Sequence, residues 1–146
     1  MIRKMLPKDF EDIYKLGTIL NQNYAQLYKL NNIINDNNQI IYVYVVNNNV
    51  VGFLHLTISF DEADIVDIIT NKNYCNQGIG TNLINYAIKD NNLIKINLEV
   101  RESYLNAIKF YQHLNFKIIR KIKKYYNNED AFFMVKEINE WKTYIY

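Results

Sequence analysis

The chain has 146 residues, 49% of them hydrophobic, and a formal net charge of +2 at pH 7. That length and apolar content are enough for one substantial core, so we expect a single domain spanning residues 1–146. The mild charge does not favour direct binding of nucleic acid. No apolar run approaches the roughly 18 residues that span a bilayer, which argues against a membrane protein.

The cysteine and histidine content limits which disulfides and metal sites the chain can form. The single cysteine, Cys75, excludes an internal disulfide framework and suits a reducing compartment. His55 and His113 are too few and too far apart in sequence for a metal site, so no metal is expected. The segment MIRKMLPKDF lacks the apolar core of a signal peptide. We therefore expect a cytoplasmic protein.

The first part of the chain predicts helical segments. Pro7, followed by acidic residues, is typical of a helix start and predicts a helix from about Lys8 to Asn21. A second helical piece is expected from Tyr24 to Ile34. The apolar stripe of the first helix consists of Phe10, Ile13, Leu16, Ile19 and Leu20.

An antiparallel meander of three strands follows. The β-branched and aromatic run QIIYVYVV predicts a strand, and Val50 to Phe60 predicts its partner. Asn47 to Asn49 form the expected turn because Asn tolerates left-handed backbone conformations. After the acidic turn DEAD, the run DIVDIIT predicts the third strand.

A strand, helix and strand then form a βαβ unit. The helix is predicted by an apolar stripe of Leu83, Ile84, Ala87 and Ile88. The next strand, IKINLEV, alternates, and its apolar face is expected to comprise Ile94, Ile96, Leu98 and Val100.

A last helix and two strands complete the predicted elements. The helix in SYLNAIKFYQHLNF should end at Asn115 in a left-handed cap. FKIIRKIKKYY and EDAFFMVKEI are expected to pair through a turn at Asn127 and Asn128. The helix has one apolar stripe, formed by Ala107, Ile108, Tyr111 and Leu114.

Two of the chain's four glycines, Gly78 and Gly80, stand directly before the βαβ helix. Glycines at a helix start let the backbone approach an anion, and the free N–H groups point at it, so a phosphate or pyrophosphate ligand is one interpretation. A structural turn is the other. The spacing fits neither the dinucleotide fingerprint nor the ATP-type P-loop.

The segment CNQGIG resembles the Arg/Gln-x-x-Gly-x-Gly/Ala signature of the GNAT N-acetyltransferases, with Cys75 at the first place. The resemblance implies an α/β (α+β) fold whose mixed, mostly antiparallel sheet is flanked by helices, and acetyl-CoA as acetyl donor. It implies that backbone amides hold the pyrophosphate at Gln77, Gly78, Ile79, Gly80 and Thr81. Backbone N–H groups would polarise the thioester carbonyl around Ile68, Ile69 and Thr70.

Two downstream segments, LEVRESYLNAIKFYQHLNF and RKIKKYYNNEDAFFM, are similar to the RimI-like subgroup of this family. That subgroup acetylates protein N-termini, so the implied partner is a protein or peptide N-terminus, such as that of a ribosomal protein. The resemblance implies Glu99 as general base and Tyr111 as the acid that protonates the departing sulfur. It also implies that Tyr125 and Tyr126 line the slot for the acceptor.

Each of these residues has a plainer interpretation. Glu99 could be an exposed strand carboxylate paired with Lys95 or Arg101, and Tyr111 could be a core residue. Asp67 is a second candidate for the base. The basic strand could contact RNA or the 3′-phosphate of the cofactor, or it could be a solvated edge; it carries Lys117, Arg120, Lys121, Lys123 and Lys124.

The pKa of the acceptor amine bears on the substrate. A protein α-amine, with a pKa of about 7.7–8.0, is roughly one-tenth neutral at pH 7, whereas a lysine amine is neutral only about once in 2,500. A single carboxylate base therefore favours an N-terminal acceptor. A small amine such as a polyamine or a drug remains an alternative acceptor, and a non-catalytic acetyl-CoA-binding or ribosome-associated module is a third possibility.

Overall fold

The computed structural model describes residues 1–126 and 128–138. Seven strands form one sheet in the order β1-β2-β3-β4-β5-β7-β6. The strands are β1 (Ile2–Lys4), β2 (Gln39–Val46), β3 (Asn49–Ser59), β4 (Glu62–Thr70), β5 (Lys95–Arg101), β6 (Lys117–Tyr126) and β7 (Glu129–Glu137). The helices are α1 (Phe10–Leu20), α2 (Tyr24–Leu27), α3 (Leu30–Ile33), α4 (Ile79–Asn91) and α5 (Leu105–His113).

The sheet is antiparallel except where β4 and β5 run parallel. Helices α1 to α3 cover one face, where Ile13 and Leu30 pack with Phe53 of β3. Helices α4 and α5 cover the other face, where Leu83 packs in the same core cluster as Leu54. The expected mixed, mostly antiparallel α/β fold is confirmed.

The predicted first helix is confirmed, but its apolar stripe is shorter than expected. Ile13 and Leu16 are buried, whereas Ile19 is 73% exposed and Leu20 is also exposed. Leu20 instead lines a cavity beside β4. The predicted helix from Tyr24 to Ile34 is in fact the two short helices α2 and α3, because the backbone between them is extended.

The turns of the meander depend on residues in the left-handed conformation. Asn47 and Asn48 have φ of 50° and 66°, which confirms the expected turn. The predicted turn DEAD was too long, because β4 already begins at Glu62. Only Phe60 and Asp61 turn, with Phe60 at φ 57° and fully out of the core.

The alternation in β5 is confirmed with one exception. Ile96, Leu98 and Val100 are buried, but Ile94 lies before the strand and is 50% exposed. Its N–H donates a hydrogen bond to the Asp61 carbonyl (2.8 Å), so it belongs to the loop that starts the strand.

The end of α5 and the last two strands also follow the prediction. Asn115 takes the expected left-handed conformation, with φ 70°. The expected turn at Asn127 and Asn128 falls partly outside the described residues, because Asn127 is not among them. Strand β6 is the edge of the sheet, and most of its basic side chains are exposed, as in a solvated edge.

Candidate active site

The site is built around a gap between β4 and β5. The two strands pair only where residues 62–64 lie beside residues 95–97. Beyond that point they separate, and a cavity of about 840 Å³ opens between residues 65–70 and 98–101. The start of α4 and one side of α5 complete its walls. A parallel pair that splits in this way leaves the edge of β4 available to a ligand.

A bulge in β4 decides which side chains face the gap. The pairing with β3 passes from Ile65 directly to Asp67, so Val66 has no partner. As a result, Ile65 and Ile68 both pack on the α4 face, although residues three apart in a regular strand point to opposite faces. Asp67 is thereby turned to the opposite face, beside Tyr28.

The N-terminus of α4 fits an anionic ligand. Gly78 is the residue before the helix, with φ 77°, and a Cβ there would meet nothing within 4 Å. The first helical hydrogen bond runs from Asn82 N–H to the Gly78 carbonyl (2.9 Å). The N–H groups of Ile79, Gly80 and Thr81 precede that bond, and all three residues line the cavity. This arrangement fits the pyrophosphate of acetyl-CoA.

The second glycine, Gly80, contributes to helix packing. A Cβ on Gly80 would lie 3.0 Å from the Cζ atom of Phe110, so this glycine lets α4 and α5 pack closely. Gln77 is exposed and does not line the cavity, whereas Cys75 and Asn76 do. Asn76 was not among the predicted site residues, and its position two residues before Gly78 was the available signal.

The predicted carbonyl-binding residues Ile68, Ile69 and Thr70 all line the cavity. Their strand pairs with β3 on one side and borders the gap on the other. Backbone groups on that free side are therefore the ones that a bound thioester could contact.

Glu99 reaches the cavity from β5. Its neighbours Leu98 and Val100 are buried on the α4 face, so Glu99 points to the opposite face, where it is exposed. The surrounding protein raises its pKa by partial desolvation, the negative charge of Asp64 adds to this, and Arg120 opposes it. Among the described residues, Glu99 forms no ion pair.

The alternative interpretation, in which Glu99 pairs with Lys95 or Arg101, is not seen among the described residues, where Arg101 is paired with Glu129 (3.0 Å). The Arg101 guanidinium also lies 4.0 Å from the ring centroid of Tyr126. Tyr126 lines the cavity, whereas Tyr125 is 50% exposed and does not. Of the two tyrosines predicted for the acceptor slot, the structure brings one to the cavity.

Tyr111 reaches the same cavity from α5, on the other face of the sheet. It is 7% exposed, and its ring packs against Phe110 and Phe116. Burial raises its pKa well above the usual range, and the negative charge of Asp67 adds to the effect. Tyr111 is therefore both a core residue and a protonated hydroxyl at the gap.

Asp67 is a third ionisable group that lines the cavity. Desolvation raises the pKa of Asp67 to about 6, while the Tyr28 hydroxyl favours the charged form. His55, its cross-strand partner, is completely buried, and burial lowers its pKa to about 4. The His55 Nε2 atom lies 2.7 Å from Oε1 of Gln39.

The described residues lack two other kinds of feature. No group of three or more His, Cys, Asp or Glu side chains there could hold a metal ion. Nor does this part of the chain contain a helix long and apolar enough to cross a membrane.

Comparison with known proteins identifies the family of the chain. Residues 4–116 match the acetyltransferase (GNAT) family. An N-alpha-acetyltransferase of Saccharolobus solfataricus is 33% identical over 114 residues, which are 66% of this chain and 68% of the relative.

Solved structures show the same fold. The ribosomal-protein alanine N-acetyltransferase of Escherichia coli superposes with a TM-score of 0.78 at 23% identity, over 94% of this chain and 93% of that one. An aminoglycoside 6′-N-acetyltransferase complexed with coenzyme A gives 0.79 at 16% identity, over 94% and 96%. At these identities the likeness shows the fold alone. Together with the family match, the comparisons establish that the chain belongs to the GNAT family and is an acetyl-CoA-dependent N-acetyltransferase.

Proposed function

We propose that the protein transfers the acetyl group of acetyl-CoA directly to the α-amine of a protein N-terminus. The observation that carries the proposal is that Glu99 and Tyr111 reach one cavity from opposite faces of the sheet, beside the free N–H groups of α4. The similarity to an archaeal N-alpha-acetyltransferase supports the choice of acceptor.

Glu99 acts as the general base. It accepts one proton from the acceptor ammonium, directly or through water, and the nitrogen lone pair then forms the bond to the acetyl carbon. The raised pKa of Glu99 brings it closer to that of the amine, which makes the proton transfer less unfavourable. The proton on Glu99 then passes to solvent.

Tyr111 acts as the general acid. As the carbon–sulfur bond breaks, its electron pair stays on sulfur, which takes the phenolic proton of Tyr111. The second proton lost by the nitrogen returns to Tyr111 through water, so the hydroxyl is restored. Because burial keeps Tyr111 protonated at neutral pH, the proton is available when sulfur needs it.

The acceptor amine is more easily an α-amine than a lysine side chain. About one-tenth of α-amines are neutral at pH 7, against about one in 2,500 lysine side chains. We assign the base to Glu99 rather than Asp67 because Glu99 is exposed and can pass a proton to solvent. A moderate base suffices for the α-amine.

The acceptor chain would enter beside the Arg101–Glu129 ion pair. Tyr126 forms part of the cavity wall there, and Tyr125 packs against it with ring centroids 4.8 Å apart. We assign both tyrosines to the acceptor slot, Tyr126 by contact and Tyr125 by supporting it. A ribosomal protein in the cytoplasm is one acceptor that this reaction would suit.

The test is release of free thiol from acetyl-CoA in the presence of a panel of acceptors. The panel contains peptides with free or blocked N-termini, a polyamine and an aminoglycoside. We expect release with free N-termini only. Release with the small amines only would move the acceptor to that class, and binding of acetyl-CoA without any release would contradict the proposal.

A further inference from the structure

Asp67 is a partly buried carboxylate without a counter-charge. None of the ion pairs in the described part of the chain includes it. The titratable groups that face it are the hydroxyls of Tyr24, Tyr28 and Tyr111 and, across the strand pair, His55. His55 is neutral at physiological pH, so it cannot balance the charge. Burying an unpaired carboxylate is costly, which raises the question of what the position is for.

The bulge at Val66 places this carboxylate in the wall of the cavity between β4 and β5. Asp67 and Glu99 sit on the two strands that separate, and both line the cavity between them. Both side chains are on the face opposite α4, and Tyr111 enters the gap from the other side. The cavity that an acceptor amine must enter therefore has one carboxylate on each of its two strand walls.

We propose that Asp67 binds the acceptor amino group in its protonated form and so selects acceptors that carry a positive charge at the reacting nitrogen. The proposal rests on the acetyl transfer described above. An ammonium group would supply the counter-charge that Asp67 lacks, through a charge-assisted hydrogen bond. Glu99, which is open to water, then takes the proton, because it can pass that proton on to solvent.

Asp67 is thus assigned to acceptor binding and Glu99 to proton transfer, and the two roles can be measured separately. Loss of Asp67 should weaken acceptor binding roughly 10- to 100-fold, the range for a hydrogen bond to a charged group. Loss of Glu99 should instead slow the chemical step. Asp67 is thus a specificity residue, and its effect should appear in the KM of the acceptor more than in kcat.

The test is calorimetric titration of two matched peptides onto the protein loaded with coenzyme A, which cannot react. One peptide has a free α-amine, and the other has the same sequence with hydrogen in place of that amine. For Asp67→Asn we expect a 10- to 100-fold loss of affinity for the free-amine peptide and no loss for its partner. Glu62→Gln is the control: it removes a carboxylate from the same strand outside the 840 Å³ cavity, and both affinities should stay unchanged.

Three results would overturn the inference. They are equal losses for the two peptides, an Asp67→Asn variant that binds the free-amine peptide as well as wild type, and a wild-type protein that does not prefer the free amine. The last result needs no variant, so misfolding of Asp67→Asn leaves the inference testable. If wild type acetylates only polyamines, the proposed N-terminal acceptor is wrong, and weaker spermidine binding by Asp67→Asn would still support the role of Asp67.

Discussion

Replacing Asp67 with Asn should make the protein more stable at alkaline pH while it impairs function. The pKa of this carboxyl is raised to about 6 in the folded protein, roughly two units above its ordinary value. Ionising it in the folded state then costs about 3 kcal/mol at pH 8, which solvent access to the partly buried group reduces to about 1–2 kcal/mol. Asn carries no charge and avoids this cost.

The sign of the pH dependence follows from proton binding. Because the folded state holds the Asp67 proton more tightly than the unfolded state, stability is lost as pH rises through the folded pKa of about 6. The advantage of Asp67→Asn should therefore be full at pH 8 and shrink to about a third at pH 4.5.

Urea unfolding at the two pH values measures both quantities, provided that the m-value is unchanged. Glu62→Gln serves as the matched control, because its carboxyl is exposed, and its stability should follow wild type. An Asp67→Asn variant that is less stable than wild type at pH 8 would show that Asp67 stabilises the fold, and would refute the reasoning.

Three other variants test the remaining parts of the site. Glu99→Gln should lower kcat by about 10²–10⁴ at pH 6.5. The loss of kcat should shrink about 20-fold by pH 9, because the α-amine is then neutral without a base. A loss that does not depend on pH would reject Glu99 as the base. Tyr111→Phe should slow acetyl transfer about 100-fold and leave the affinity for acetyl-CoA unchanged. Single-turnover kinetics measures the first quantity and calorimetry the second. Full activity would show that Tyr111 has a packing role alone. Gly78→Val places a β-branched residue at φ 77°, a backbone conformation that costs about 1–2 kcal/mol for such a residue. The variant should bind acetyl-CoA about tenfold more weakly. Unaltered affinity in a folded variant would exclude Gly78 from the pyrophosphate site.

The order of the secondary-structure elements could be predicted from the sequence because hydrophobic periodicity and turn residues are local signals. The stripe of α4 and the alternation of β5 each face one core, so the period alone locates them. The left-handed turns at Asn47 and Asn115 were also predictable, since Asn tolerates that conformation. The short strand β1 was missed because three residues carry too little pattern.

The site was only partly predictable, because tertiary contacts decide the rest. A bulge reverses the facing of every residue after it, and no local signal in β4 marks Val66 as bulged. The close approach of α4 to Phe110, which explains Gly80, joins residues thirty positions apart. Likewise, Tyr126 rather than Tyr125 lines the cavity, and its ring contacts Arg101 on a separate strand.

The most direct test of the proposed reaction is to locate the acetyl group on a single acceptor that offers two amines. A peptide with a free α-amine and one internal lysine is incubated with acetyl-CoA and the protein, and the modified position is read by tandem mass spectrometry. We predict acetylation of the α-amine alone, with the lysine unmodified. Acetylation of the lysine side chain, or none on a peptide while a polyamine is acetylated, would contradict the assignment of an N-terminal acceptor.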